Sequence, residues 1–231
     1  MRLDKLLANK AFGSRKEVHQ IIRDGRVTVN GAVILKKDQS IDIDDIIAVD
    51  GVQISTKQQY YIKFHKPAGY ITAVEDPTHP VVMDLLPPEF KKMGVFPVGR
   101  LDKDTEGLLL LTNDGVWAHS IINGHKHVPK VYYVEFNGKL TKEGIERIET
   151  GIVLGDGTQC KPANIDVLSD RSLHITIEEG KYHQVKRMIG AAGGEVTYLK
   201  RLSIGHITLN GIEAINTYSE IDDQDVVDFK K

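Results

Sequence analysis

The sequence has little cysteine, no long apolar run and almost no net charge. Cys160 is the single cysteine among 231 residues, so an intramolecular disulfide is impossible and a cysteine-based zinc site is not expected. No apolar run approaches the roughly 18–20 residues of a membrane-spanning helix. The opening MRLDKLLANK carries charge inside its apolar patch, which is not typical of a signal peptide. These features predict a protein of the reducing cytoplasm without a membrane partner.

The net charge of −2 hides an uneven distribution. Residues 1–37 contain nine Lys and Arg against three acids, and residues 181–201 contain five against one. Residues 213–231 are acidic, with six acids and two lysines. Because a polyanion responds to a local patch rather than to the charge of the whole chain, the basic segments are compatible with a nucleic-acid partner.

The first 57 residues have the pattern of a self-contained module. Ser14 and Glu17 form the capping box of a helix that we expect to end near Asp24, just before Gly25. Asn30-Gly31 then predicts a tight turn between strands. The polar segment 55–59 is typical of a linker, so the predicted domains are residues 1–57 and 58–231.

The helix that follows Ser14 is amphipathic. Its apolar stripe comprises Val18, Ile21 and Ile22, and the basic side chains off that stripe are Arg15, Lys16, His19 and Arg23. A basic face alone is typical of any solvated helix. However, RLDKLLA, SRKEVHQIIRDGRVTVNG and the later D-x-I-x-V-D-G together resemble the S4 RNA-binding domain over roughly residues 1–50.

The order of elements after residue 130 predicts a split βαβ unit. We expect strands near 131–136, 163–168, 173–178 and 196–202, with helices near 141–150 and 181–192. The predicted fold class is therefore α+β. A small S4-like α/β module precedes a larger catalytic domain with a mixed, mainly antiparallel sheet.

The segment GRLDKDTEGLLLLTNDG at 99–115 places charge directly before four leucines. If residues 99–104 are extended, Arg100, Asp102 and Asp104 share one face. Three interpretations are open on this pattern alone: a strand-end ion pair with a turn, a D-x-D metal site, or a catalytic carboxylate.

The same segment resembles the signature of the pseudouridine synthases of the RsuA/RluA group. HKPAGY (65–70), PKVYYVEF (129–136), EEGKYHQVKRM (178–188) and RLSIGHITL (201–209) resemble further motifs of this family, across essentially all of residues 60–210. A leading S4 module is the architecture of the RsuA branch, and EDPTHPVV (75–82) favours the same branch. Its members modify small-subunit ribosomal RNA.

The resemblance implies a mechanism that needs no cofactor or metal. Asp102 would be the single catalytic residue, acting while uracil is detached from C1′ of the ribose, rotated and rejoined through C5. Whether the carboxylate adds covalently or first removes a ribose proton stays open. Arg100 would hold the flipped nucleotide, Tyr132 would stack on the uracil, and Lys186 would pair with Asp102 and keep it ionised.

The resemblance also implies the partner, which is small-subunit (16S) ribosomal RNA, expected in an assembly intermediate and bound by a monomer. The basic side chains predicted to contact this RNA are Arg2, Arg15, Lys16, Arg23, Arg26, Lys66 and Arg187. His125, His127 and His183 are set aside, because histidines near an RNA surface more often contact phosphate or solvent.

Three alternatives stay open for the function. The first is a large-subunit rRNA target, and the second is a non-catalytic rRNA-binding assembly factor. The third is a metal-dependent nuclease or glycosidase that uses Asp102 and Asp104.

Overall fold

The computed structural model describes residues 1–123 and 126–229 of the protein. The chain forms two compact units: residues 1–60 with 86–95, and residues 61–85 with 96 onward. His125, one of the three histidines set aside above, lies outside the described residues. Within the described ranges, no helix is long and apolar enough to cross a membrane.

The first unit joins helices to a small antiparallel sheet of strand order β2-β1-β3-β4. Its elements are α1 (Leu3–Asn9), α2 (Arg15–Arg23), β1 (Val27–Val29), β2 (Ala32–Val33), β3 (Ile47–Val49), β4 (Val52–Ile54) and α3 (Pro88–Lys92). The predicted capping box is confirmed, because Ser14 Oγ accepts from the Glu17 amide and the Glu17 carboxylate accepts from the Ser14 amide. Val18 and Ile22 of α2 are fully buried against the leucines of α1.

The second unit contains one large mixed sheet with strand order β13-β5-β7-β11-β8-β10-β9, in which β6 pairs with β7 and β12 with β11. Its strands are β5 (Tyr61–Lys66), β6 (Phe96–Val98), β7 (Glu106–Thr112), β8 (Lys130–Gly138), β9 (Asn164–Ser169), β10 (Ser172–Ile177), β11 (Gly194–Ile204), β12 (Ile207–Thr208) and β13 (Tyr218–Glu220). Its helices are α4 (Gly115–Ile122), α5 (Lys142–Thr150), α6 (Gln184–Ala191) and α7 (Asp223–Asp228).

The predicted β-α-β-β-α-β unit is confirmed by β8-α5-β9-β10-α6-β11. These four strands are neighbours in the order β11-β8-β10-β9, and every adjacent pair is antiparallel. Thr141 caps α5 and Gly151 ends it, as expected. Helix α6 starts at Gln184 rather than near 181, because the preceding His183 adopts the left-handed conformation at φ 47°.

The four leucines 108–111 form the centre of β7 and are all fully buried. Successive side chains of a strand point to opposite faces, so β7 is covered on both sides. The extended prediction for residues 99–104 is wrong: β7 begins at Glu106, and residues 99–105 form a loop after β6. A turn closes where the Thr105 amide donates to the Asp102 carbonyl, so the charged side chains of the loop do not share one strand face.

Candidate active site

A cleft of about 710 Å³ opens within the second unit. Its walls come from the loop 99–105, from β8 and β11, and from the segment that leads into α6. Four residues singled out above line it or lie against its rim: Arg100, Asp102, Tyr132 and His183. The fold thus brings together side chains from three separate sequence motifs.

The Asp102 carboxylate meets two side chains of the α6 segment. Lys186 Nζ lies 3.3 Å from Asp102 Oδ2, and His183 Nε2 lies 3.5 Å from Asp102 Oδ1. The Asp102 side chain keeps 26% of its surface exposed, so it remains accessible from the cleft. The contact between Lys186 and Asp102 has the arrangement expected from the sequence, whereas His183 was set aside there. His183 comes near Asp102 because the backbone turns before α6. The residue of this turn with left-handed backbone is His183 itself and not a glycine, so the sequence does not indicate the turn at that position.

Asp104 shares Lys186 with Asp102 but is much more exposed. Lys186 Nζ lies 2.6 Å from Asp104 Oδ1, and 73% of the Asp104 side chain is in solvent. Partial burial would raise the pKa of Asp104, but the hydrogen bond and the charge of Lys186 outweigh it and hold that pKa below its usual value. Among the described residues, no three side chains of metal-ligand type gather closely enough to hold a metal ion, so the D-x-D alternative finds no ligand set there.

The loop that carries Asp102 is held from beneath by Lys66. The Lys66 ammonium donates to the carbonyls of Pro67, Asp102 and Thr105 at 3.0, 3.1 and 2.8 Å, and to that of Lys103 at 3.4 Å. The side chain is wholly buried, and this burial lowers the pKa of Lys66 to about 8. The predicted RNA contact of Lys66 is therefore wrong, because its charge is enclosed by backbone carbonyls instead of facing a phosphate.

Two further contacts hold the same loop from the chain that follows β5. The Thr72 hydroxyl donates to the Leu101 carbonyl at 2.8 Å and accepts from the Leu101 amide at 3.1 Å. The Gly69 amide donates to the Lys103 carbonyl at 2.7 Å. The HKPAGY motif and Thr72 just after it thus support the loop on both sides of Asp102, which fixes where the carboxylate points.

Tyr132 is the member of the tyrosine pair that faces the cleft. It is 8% exposed, while Tyr133 points to the opposite face and packs against His174 and Tyr198. Arg201, which sequence reasoning did not single out, approaches Tyr132: its Nη1 lies 3.4 Å from the Tyr132 hydroxyl oxygen, and its guanidinium carbon is 5.9 Å from the ring centre. The buried tyrosine ring is therefore fixed from one side.

Arg201 itself is nearly fully buried. Its Nε donates to the Leu108 carbonyl at 2.7 Å, and its Nη2 has no hydrogen-bond partner among the described residues. The neighbouring strand approaches so closely that a Cβ on Gly107 would lie 2.2 Å from the Arg201 carbonyl oxygen. The glycine of T-E-G-L is the sequence signal for this contact, because only glycine allows two backbones to come so near.

The other side chains of the second unit that were considered for RNA contact differ in whether they already contact other residues of the protein. Arg100 is exposed at the edge of the cleft. Arg187 is engaged, with Nη2 2.5 Å from Asp156 and Nη1 donating to the Tyr182 carbonyl. His127 contacts Glu178 at 2.9 Å and does not reach Asp102 in the contacts described.

The basic residues of the first unit lie on its surface. Arg2 donates to Asp4, and Arg26 pairs with Asp50 at 2.5 Å. Arg23 donates to Gln20, whereas Arg15 and Lys16 are exposed at the start of α2. The latter two are therefore the cations of this group most available to an RNA phosphate.

This fold and cleft define the class of protein. The RNA pseudouridylate synthase family model matches residues 60–191, and the S4 domain model matches residues 1–47. The chain belongs to the RNA pseudouridylate synthase family. It is an RNA pseudouridine synthase with an S4 domain, as the sequence motifs predicted.

Individual relatives match over nearly the full length. An uncharacterized RNA pseudouridine synthase of Bacillus subtilis (strain 168) is 42% identical, over 98% of this chain and 97% of the relative. Ribosomal small subunit pseudouridine synthase A of Escherichia coli (strain K12) is 35% identical over 98% of both chains. The crystal structure of a pseudouridylate synthase aligns with a TM-score of 0.69 at 29% identity, covering 99% of both chains.

Proposed function

We propose that this enzyme isomerises a specific uridine of small-subunit (16S) ribosomal RNA, with Asp102 as its catalytic residue. The observation that carries the proposal is the position of Asp102, which is accessible in the cleft, paired with Lys186 and set on a rigidly held loop. Full-length relatives named ribosomal small subunit pseudouridine synthase A support the choice of target.

The target nucleotide is first flipped into the cleft, because the bonds to be exchanged are inaccessible inside a helix. The N1–C1′ bond of uridine then breaks, the free uracil turns, and a C5–C1′ bond forms while C5 loses its proton. Asp102 takes part in one of two ways. Either its oxygen bonds to C1′ as the N1–C1′ bond breaks and is displaced when C5 attacks C1′, or it removes the proton from C2′ and returns it there once the C5–C1′ bond forms. In both routes N1 gains a proton in place of the one that C5 loses. In both routes an ionised carboxylate is required, and Lys186 places its ammonium 3.3 Å from that carboxylate.

Tyr132 and Arg100 assist the reaction without forming or breaking covalent bonds. The Tyr132 ring stacks on the uracil face, and base–aromatic stacking of about 1–3 kcal/mol is enough to retain a detached base during its rotation. Arg201 keeps this ring in place. Arg100, exposed at the edge of the cleft, holds the nucleotide out of its helix.

The RNA is positioned by surface cations that read no base. Arg15 and Lys16 contribute most to this binding. Smaller contributions come from cations that already contact another side chain of the first unit, namely Arg2, Arg23 and Arg26. Arg187 contacts the RNA near the cleft. We assign residues 1–57 to this RNA-binding domain and residues 58–231 to the catalytic domain. The enzyme acts as a cytoplasmic monomer on an assembly intermediate of the small subunit, where the first domain raises the local concentration of the second at its target.

The test is chemical mapping of pseudouridine in small-subunit RNA and in a small-subunit assembly intermediate after incubation with the enzyme. Asp102→Asn should reduce the rate by roughly a hundredfold to ten-thousandfold, the range for removing a group that acts directly on substrate. Asp104→Asn is the matched control, because it alters the same loop and the same lysine partner but keeps Asp102. Equal modification by Asp102→Asn and the parent would refute the role of Asp102.

Mapping of ribosomal RNA from cells with and without this gene tests the target separately. Loss of one pseudouridine from the small-subunit RNA is the expected result. Loss from the large-subunit RNA instead would replace the proposed target but would leave the proposed chemistry intact.

A further inference from the structure

Two aromatic rings stack on each other at the rim of the cleft. The Tyr182 and His183 ring centres are 3.9 Å apart, and their planes differ by 15°. Tyr182 is 76% exposed although it lines the cleft. Since the imidazole covers one face of the phenol ring, its opposite face is open to solvent.

The backbone holds this pair in place. His183 adopts the left-handed conformation, which is unfavourable for a residue with a Cβ. On either side, the Lys181 amide donates to Gln184 at 2.9 Å and the Tyr182 carbonyl accepts from Arg187 at 3.2 Å. These bonds keep the short turn before α6 ordered, so the Tyr182 ring is presented at the surface by a fixed backbone.

The pair lies directly beside the reacting group. The same imidazole that stacks on Tyr182 brings its Nε2 to 3.5 Å from Asp102 Oδ1. Because the phenol ring of Tyr182 is mostly exposed, it contributes little hydrophobic stabilisation to the free protein. It is a favourable surface for an unpaired nucleobase, because any base can stack on an aromatic face.

Flipping a uridine into the cleft also removes the stacking partner of the adjacent nucleotide. We propose that Tyr182, backed by His183, is a stacking site for the unpaired nucleobase adjacent to the target uridine. This rests on the proposed function, since it takes the target uridine to be the one that enters the cleft at Asp102. The site would bind bases of any sequence and would stabilise the flipped state rather than read the RNA.

The direct test uses the full-length enzyme and two uridine-centred, single-stranded RNA nonamers. One carries 2-aminopurine immediately 5′ of the uridine and the other immediately 3′ of it, because this base loses fluorescence when it stacks. The wild type should quench one of the two probes. No quenching at either position would overturn the proposal.

Three variants separate stacking from other effects. Tyr182→Ala should abolish the quenching and weaken probe binding by about tenfold to a hundredfold. Tyr182→Phe, which keeps the ring and loses the hydroxyl, should retain both. Tyr218→Ala, which removes another exposed tyrosine, on β13, is the control and should behave as the wild type. Undiminished quenching and affinity in Tyr182→Ala would overturn the proposal.

Formation of pseudouridine in ribosomal RNA is measured in parallel and has a separate meaning. If the wild type forms none, the proposed function fails, whereas the fluorescence assay still decides whether Tyr182 stacks on a base. If the wild type forms it, Tyr182→Ala should lower kcat/KM mainly by raising KM. Equal KM values for Tyr182→Ala and the wild type would contradict the stacking site.

Discussion

Two groups of cations, one in each unit, occupy opposite environments. In the first unit Arg15, Lys16 and Arg26 lie at the surface, and the pair between Arg26 and Asp50 leaves about half of each side chain exposed. In the second unit Lys66 and Arg201 are buried and bind backbone carbonyls. Exposed ion pairs contribute only about 0–1 kcal/mol, whereas a buried cation whose carbonyl partners lose their donor is costly to remove. The comparison teaches that Lys and Arg at the surface stay available to a partner, whereas Lys and Arg in the interior hold the backbone.

The largest expected effect concerns the backbone beside Arg201. Gly107→Ala would place a Cβ 2.2 Å from the Arg201 carbonyl oxygen, at a φ of 106° that side chains rarely adopt. The free energy of unfolding should fall by about 3 kcal/mol or more, measured by denaturant titration. Gly115→Ala is the matched control, because a Cβ there meets nothing within 4 Å. Equal stability of the two variants would show that β7 and β11 do not depend on this approach.

Lys66→Met should have the next largest effect. It leaves the carbonyls of the 99–105 loop without their shared donor, so the loop can move and the position of Asp102 is lost. We expect kcat/KM to fall by about a hundredfold, as for misplacement of a catalytic group by about 1 Å. If Lys66→Met lowered kcat/KM no more than removal of a surface lysine does, buried and exposed cations would not differ in the way described above.

The pH dependence of stability provides a second measurement on Lys66. Its folded pKa of about 8 lies below the ordinary 10.5, mainly because of burial and despite the opposing charges of Asp104, Asp102 and Glu106. Between these pH values the unfolded chain holds a proton that the folded chain has released, so the free energy of unfolding should rise with pH. Lys66→Met should lose its share of this rise. Lys130→Met should lose a separate share in the same direction, because burial also lowers the pKa of Lys130 to about 8.

Lys186→Met should have a smaller effect than loss of the carboxylate itself. It removes the cation shared by Asp102 and Asp104, while His183 still contacts Asp102. We expect kcat/KM to fall by about tenfold to a hundredfold, measured on the mapped RNA substrate, because one of two polar partners is lost. Lys186→Arg should recover most of the rate. If Lys186→Arg were as slow as Lys186→Met, a positive charge at this position would not be sufficient for the role of Lys186.

The surface cations of α2 should show the smallest effect. Arg15→Ala and Lys16→Ala should each weaken RNA binding by less than about tenfold, and each should reduce the slope of log K against log salt by about 0.7–0.9. Arg26→Ala should change the slope less, since Arg26 is already paired with Asp50. Identical slopes for all three variants and the wild type would remove α2 from the RNA contact. A titration of binding between 50 and 200 mM salt measures this, in roughly the range where phosphate contacts respond most clearly.

The sequence predicted the local elements well where local signals are strong. The Ser14 capping box, the Thr141 cap and Gly151 stop, and the alternation of strands and helices after residue 130 were all confirmed. It failed for residues 99–105, since a loop of charged residues before a buried strand has no periodicity that separates it from the strand. Lys66 was misplaced for a related reason: burial of a lysine depends on carbonyls supplied by a distant segment.

The sequence by itself determined the family, because the family depends on ordered motifs, and it singled out Asp102 as the candidate catalytic carboxylate. Only the tertiary structure decided that His183 contacts this carboxylate and that Lys66 holds its loop from beneath. Asp102, Tyr132 and His183 come from segments far apart in the chain and line one cleft, because the order of strands in the sheet brings these segments together. The pairing of β7 with β11 is set by contacts between residues far apart in the chain, which no local pattern encodes.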